Sequence, residues 1–366
     1  MPGQNNEAGV SQVSVANAID CDIHPGVPTI KALLPYMSDY WREAFIARGQ
    51  DGFQPASYLP NSPLACRPDW REGDAVGASR LELLQRHALD GFGAGLAICN
   101  VLYGGSFAIS ETMAAAICSA VNDWLRAEWL DRDPRLRASI VVPTQNPRLA
   151  VEEIERISGD RRFVQILMPV ALDMMLGKEH YWPIFEAAER HALPIGLHAG
   201  SLYRYAPTTN GWPTHFLQDY VGNNHAFESQ LLSLIAQGVF LRFPDLKVVL
   251  LESGVTWLPG FLWRARKTWR AVRPEVPWIN ESPIDIVRRH VRLTAQPIDG
   301  PADPAVLERV LDQIGSDDML LYASDYPHWQ FDGDRVVPDG VPARLIEKMA
   351  RDNPLATYPR LRETIQ

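Results

Sequence analysis

The chain has 366 residues, 46% of them hydrophobic and 22% charged, with 35 basic against 44 acidic side chains and a formal net charge of −9. That length and apolar content can bury a large core, and the acidic balance excludes the basic stripe that a nucleic-acid surface needs. No apolar stretch reaches the ~18 residues of a membrane-crossing helix. The start, Met1-Pro2-Gly3-Gln4, lacks the basic and apolar regions of a secretory signal. Cys21, Cys66, Cys99 and Cys118 form no Cys-x-x-Cys pair, so free buried thiols in a reducing cytoplasm are expected.

In chain order, residues 1–16 are small and polar and read as a loose arm, with 17–366 as one domain. Eight strand-like apolar runs follow, at 18–24, 94–101, 136–142, 162–168, 193–198, 246–252, 290–294 and 319–325. Helical patterns at 110–130, 149–157, 182–191, 230–237 and 304–314 lie between most of them. Strands alternating with helices predict a parallel sheet, and eight such units predict a closed (β/α)8 barrel. Three connections are long: 25–80 after the first strand, 200–225 after the fifth, and 257–281 after the sixth. Their aromatic residues suit either substrate walls or plain packing and subunit contacts.

Four of the runs end in residues that bind metals. In Ala18-Ile-Asp-Cys-Asp-Ile-His24, residues two apart share a face, so Asp20, Asp22 and His24 point into the barrel. Three inward polar groups are costly unless paired or metal-bound. His198 closes the fifth run, where a satisfied core histidine and a ligand are equally compatible with the pattern. Glu252 closes the sixth run and Asp325 the eighth, each needing a cation, a hydrogen bond or a proton if buried. His225 precedes the helical pattern at 230–237 and is a candidate catalytic histidine or an exposed loop residue. His328 falls in the loop beyond Asp325, where a structural hydrogen bond is the expectation. Asp22, His24, His198 and Asp325 together make a mixed oxygen and nitrogen set suited to one divalent ion, with zinc expected and manganese or iron as alternatives.

Ile19-Asp-Cys-Asp-Ile-His-Pro25, Gly196-Leu-His-Ala-Gly200, Phe243-Pro-Asp-Leu-Lys-Val-Val-Leu-Leu-Glu-Ser-Gly254 and Ser324-Asp-Tyr-Pro-His-Trp329 carry a resemblance. In this combination and order the chain, from about residue 18 to 360, resembles the metal-dependent amidohydrolase superfamily. It is most similar to the branch related to aminocarboxymuconate semialdehyde decarboxylase. The resemblance implies a (β/α)8 barrel with one divalent metal at its C-terminal face, held by Asp22, His24, His198 and Asp325. It also implies a homodimer, for which Trp263, Trp269 and Trp278 are candidate contacts. Two positions depart from the pattern. Asp22 stands where many relatives carry histidine. Glu252 stands where the decarboxylases usually carry a proton-transferring histidine at the end of the sixth strand, and His225 is the expected replacement.

The leading expectation is therefore a metal-dependent hydrolase of a small carboxylated substrate, aromatic or dicarbonyl, using metal-activated water. Asp325, His225 and Glu252 would move protons. Arg204 and Arg292 would grip the carboxylate bidentately, with Trp257 as a further substrate contact. The alternative is a non-oxidative decarboxylase of a hydroxylated aromatic or unsaturated acid. A third reading is a barrel without catalysis.

Overall fold

Ala18–Ile23 forms the first strand, β1, with all six residues buried. This is what a strand covered on both faces must do, and the other strands follow it in being short and apolar. They are β2 (Ala94–Cys99), β3 (Leu136–Val141), β4 (Phe163–Pro169), β5 (Ile195–His198), β6 (Val248–Leu251), β7 (Val291–Thr294) and β8 (Leu320–Leu321). The computed structural model describes residues 15–49, 51, 65–73, 75–103, 108, 110–200, 211–330 and 335–364.

The eight strands pair in sequence order, every pair parallel. A parallel bridge between Ile23 and Tyr326 joins the last segment to the first. Three backbone bonds support it: Cys21 N–H to Tyr322 O at 2.9 Å, His24 N–H to Tyr326 O at 2.7 Å, and Asp325 N–H to Asp22 O at 3.0 Å. The sheet is thus a (β/α)8 barrel, and the expected strands all occur, trimmed by a few residues at their ends.

Local chemistry explains where the outer helices begin. Ser110 Oγ accepts from Met113 N–H at 3.3 Å and starts Glu111–Leu125. Asn146 Oδ1 accepts from Leu149 N–H at 3.2 Å, with Pro147 in the first turn of Pro147–Ile157. Three expectations need correction. The connection after β6 is no loop, because Leu258–Val272 is a helix whose Leu258, Leu262 and Ala265 are buried. The pattern at 230–237 is only the end of a helix spanning Phe216–Ala236. Its first half, with Gly222, Asn223 and Asn224, is poor in helix formers. Gln218 Oε1 accepting from His215 N–H at 3.0 Å starts it. The connection after β1 likewise carries a helix, Asp39–Arg48. Trp263 and Trp278 are exposed, whereas Trp269 packs on the core. The four cysteines are free and buried.

Candidate active site

Because strand side chains alternate, Asp20, Asp22 and His24 share the inward face of β1. His198 is the last residue of β5. Glu252 and Asp325 lie just beyond β6 and β8, both with left-handed backbones, φ 55° and 58°. That conformation costs a non-glycine residue on the order of 1–3 kcal/mol, and it is kept where the surroundings demand it. Here it brings both carboxylates to the centre of the barrel mouth. Gly254, at φ 66°, completes the first of these turns, and a Cβ there would stand 2.3 Å from Asp299 Oδ2.

The side chains converge closely. His24 Nε2 lies 3.0 Å from Asp325 Oδ1, 3.2 Å from Asp22 Oδ1 and 3.4 Å from Glu252 Oε1. His198 Nε2 lies 3.3 Å from Glu252 Oε1. Two sets of donor atoms each fall within 4.8 Å of one another: Asp22, His24, His198 and Glu252, then His24, Glu252, Asp325 and His328. Both histidines of the inner set have the tautomer a cation requires. His24 Nδ1 donates to Asn100 O at 2.8 Å and His198 Nδ1 donates to Ala199 O, which turns each Nε2 lone pair inward. Asp22 Oδ2, His198 Nε2 and Asp325 Oδ2 are buried and have no hydrogen-bond partner among the described residues. Orphaned electron-pair donors of this kind, in two overlapping groups that share His24 and Glu252, fit a divalent cation.

Electrostatics in the ion-free site point the same way. Burial and the neighbouring Glu252 charge raise the Asp325 carboxyl to about 6, against the pull of His328 and His24. Burial also pushes Glu252 up, but the charges of His198 and His328 outweigh it and hold Glu252 well below the usual carboxylate range. Two carboxylates crowded together split in this way because both cannot ionise at low cost. His24 is raised well above the ordinary histidine value: burial lowers it, and Asp22, Asp325 and Glu252 overcome that. Burial lowers His328 as well, yet Asp325 and Glu252 bring it up to about 9.

Behind the cluster lies a polar ladder. Asn100 Nδ2 donates to Asp22 Oδ1 at 2.7 Å, and Asn100 Oδ1 accepts from Ser139 Oγ at 2.6 Å and Gln165 Nε2 at 3.2 Å. Gln165 Oε1 accepts from Tyr358 Oη at 3.0 Å. All five residues are fully buried. Gly196 makes room for it, since a Cβ there would stand 2.5 Å from the Gln165 amide.

Other expected residues fall elsewhere. His225 is exposed in the middle of the helix Phe216–Ala236 and joins no donor group among the described residues, so it does not fill the place of the missing histidine. Arg292 is near the start of β7, opposite the mouth, where Nη1 donates to Val291 O at 2.8 Å and Arg288 O at 3.2 Å. It caps the preceding helix, which removes it from the substrate contacts. Arg204 lies outside the described residues. Trp257 Nε1 donates to Ser253 O at 2.9 Å and pins the turn that carries Glu252. The residue that sequence reasoning undervalued is His328. Its Nδ1 donates to Asp325 Oδ1 at 2.8 Å and to Glu252 Oε1 at 3.0 Å, and its ring lies 4.6 Å from that of His24. Its position three residues after Asp325 was the available signal.

An eight-stranded parallel barrel with a metal-type donor cluster at the C-terminal ends of its strands defines a class of barrel enzymes. Within that class, the amidohydrolase family profile matches residues 19–360, and the chain belongs to this family. Among curated proteins, the γ-resorcylate decarboxylase of Polaromonas sp. (strain JS666) is 26% identical over 238 residues, spanning 61% of this chain and 69% of that protein. The γ-resorcylate decarboxylase of Rhizobium sp. (strain MTP-10005) is 26% identical over 237 residues, 60% of this chain and 68% of that one. Among solved structures, a dihydroxybenzoic acid decarboxylase from Polaromonas sp. JS666, with bound manganese and the inhibitor 2-nitroresorcinol, superimposes with a TM-score of 0.65 at 20% identity. That match covers 96% of this chain and 99% of the other. The 5-carboxyvanillate decarboxylase of Sphingomonas paucimobilis gives a TM-score of 0.65 at 19% identity, covering 94% and 99%. These structural likenesses establish the fold. The expected hydrolase chemistry and the expected zinc draw no support from these relatives.

Proposed function

We propose that this chain is a metal-dependent decarboxylase of a hydroxylated aromatic acid. The observation that carries the reading is the alignment with γ-resorcylate decarboxylases over about two thirds of their length, in a chain whose donor cluster sits where a barrel enzyme does its chemistry. Asp22, His24, His198 and Asp325 would hold the ion. Manganese is the preferred metal, supported by the manganese in the Polaromonas structure and compatible with a donor set of two carboxylates and two imidazoles. When bound, such an ion supplies positive charge against which a carboxylate and an adjacent phenolic oxygen are gathered.

The chain's own groups then have distinct tasks. The barrel wall around Asp22 and Asp325, both fully buried, keeps bulk water from the reacting carbon. Asp325 holds a proton and delivers it to the ring carbon that bears the carboxylate. The bond from that carbon to the carboxylate breaks, its electron pair returns to the ring, and neutral carbon dioxide leaves. Water then returns a proton to Asp325. The test is incubation of the manganese-loaded protein with 2-hydroxybenzoate and 2,6-dihydroxybenzoate, following carbon dioxide release and, in heavy water, deuterium at the vacated carbon. Stoichiometric carbon dioxide with one deuterium per turnover is the expected result. Absence of turnover on hydroxybenzoates, or cleavage that consumes water without releasing carbon dioxide, ends the reading.

A further inference from the structure

The C-terminal segment packs against the end of the barrel opposite the site. Two short helices, Asn353–Thr357 and Pro359–Thr364, flank Tyr358. Asn353 Nδ2 donates to Leu320 O at 2.8 Å, at the start of β8. Arg360, fully buried, donates from Nη1 to Phe163 O at 2.8 Å, at the start of β4, and from Nη2 to His191 O at 2.9 Å. These bonds fix the backbone on either side of Tyr358, and its buried side chain reaches Gln165, two residues further along β4.

There it meets the polar ladder at the rung farthest from Asp22. The Tyr358 hydroxyl donates to Gln165 Oε1 at 3.0 Å, the one partner of that oxygen among the described residues. The other bonds run in the same direction. Gln165 Nε2 donates to Ser139 Oγ at 2.9 Å and to Asn100 Oδ1 at 3.2 Å, and Ser139 Oγ donates to Asn100 Oδ1 at 2.6 Å. Asn100 Nδ2 donates to Asp22 Oδ1 at 2.7 Å and to Cys21 O at 3.3 Å. A main-chain carbonyl only accepts, so the Cys21 bond fixes which end of the Asn100 amide faces Asp22. Every hydrogen on these amides and hydroxyls thereby has an acceptor, and each bond polarises the next toward Asp22. The second Asp22 oxygen, Oδ2, is buried without a hydrogen bond among the described residues.

We infer that Tyr358 is a positioning residue for the metal centre: its hydroxyl latches the far end of the ladder that holds Asp22 Oδ1 and leaves Oδ2 to the ion. Without the hydroxyl, Gln165 Oε1 is buried and unpaired, and the amide gains by turning toward another partner. Turning withdraws its donors from Ser139 and Asn100 and loosens the hold of Asn100 on Asp22. A segment docked on the opposite end of the barrel thus sets how firmly the cation is bound. The inference rests on Asp22 as a ligand in the reading above, and not on which acid is turned over.

Manganese affinity is measured by competition with a chelator in the full chain, for the wild type, Tyr358→Phe, Gln165→Met and the double variant, with melting temperatures alongside. The expected result is about three- to tenfold weaker binding in Tyr358→Phe, below the ~10–100-fold of residues that touch a ligand directly. In the Gln165→Met background, Tyr358→Phe should leave the affinity unaltered, since the latch is already cut. Wild-type affinity in Tyr358→Phe overturns the inference, even if the melting temperature falls, because the hydroxyl would then serve packing alone. An equal loss in both backgrounds also overturns it, because Tyr358 would then act by a route that bypasses Gln165. Should Tyr358→Phe not fold, Gln165→Met severs the same bond from its other side, and unchanged affinity there overturns the inference. A wild type that takes up no manganese overturns Asp22 as a ligand, and the inference falls with it.

Discussion

His198 closes β5 and His225 lies on the helix Phe216–Ala236, and their fates differ because only the first belongs to the donor cluster. His198 Nδ1 is tied to the carbonyl of Ala199, which leaves a buried Nε2 without a hydrogen bond. Replacing this imidazole removes one of few inner donors. His198→Ala should therefore lose the metal and the proposed turnover together, with metal affinity falling by more than the ~100-fold reached by changes to residues that only orient a ligand. Elemental analysis and turnover on the same preparation check this, and an active, metal-loaded His198→Ala protein would remove the residue from the site. His225 is the contrary case. Exposed on its helix, it touches none of the donor atoms. His225→Ala should leave metal content unchanged and the rate within about twofold, as for ordinary surface substitutions. A steady-state comparison with wild type decides it.

At the scale of elements, the site depends on buried polar side chains that neighbouring strands bring together behind Asp22. Asn100, Ser139 and Gln165 come from β2's end, β3 and β4 and form a chain of hydrogen bonds that ends on Asp22. A carboxylate held this way presents a fixed oxygen to an ion, and loosening it weakens binding without touching the ion itself. Asn100→Ala should reduce manganese affinity about 10–100-fold. A competition titration against a chelator would show it, and unchanged affinity would mean that Asp22 is oriented by its backbone alone. How much of this was legible in the sequence follows from the same geometry. Period-two alternation put Asp20, Asp22 and His24 on one face, and short apolar runs marked the strands that carry His198, Glu252 and Asp325. The ladder was not legible, because Asn100, Gln165 and Tyr358 meet across the barrel from 65 and 193 residues apart. The helical position of His225 was missed because Gly222, Asn223 and Asn224 mask a helix stabilised by burying Phe227 and Leu231. The role of Arg292 was misread because the pattern of β7 does not say which end of the strand the side chain serves.

At the scale of the whole molecule, a cluster of buried acids and imidazoles links stability to pH. His328 is raised from 6.5 to about 9, Asp20 from 3.8 to about 7, and Asp325 from 3.8 to about 6. For His328, burial works downward and the charges of Asp325 and Glu252 overcome it, whereas for the two aspartates burial is the main upward cause. In each case the folded chain binds a proton more tightly than the unfolded chain. The stability each contributes is complete below its unfolded value and is lost as pH rises through its folded value. Glu252 is depressed, so its contribution is complete above the ordinary glutamate value of 4.5 and fades only on acidification below it. The metal-free protein should accordingly lose melting temperature as pH rises from about 4.5 to about 9, first through the Asp325 and Asp20 values and then through that of His328. A bound cation replaces those protons, so its affinity rises over the same range and flattens the profile. Scanning calorimetry with a chelator and with saturating manganese measures both curves. A metal-free melting temperature independent of pH across that window would mean that the cluster is not protonated when empty, and that its charges are balanced by something other than the ion it is shaped to hold.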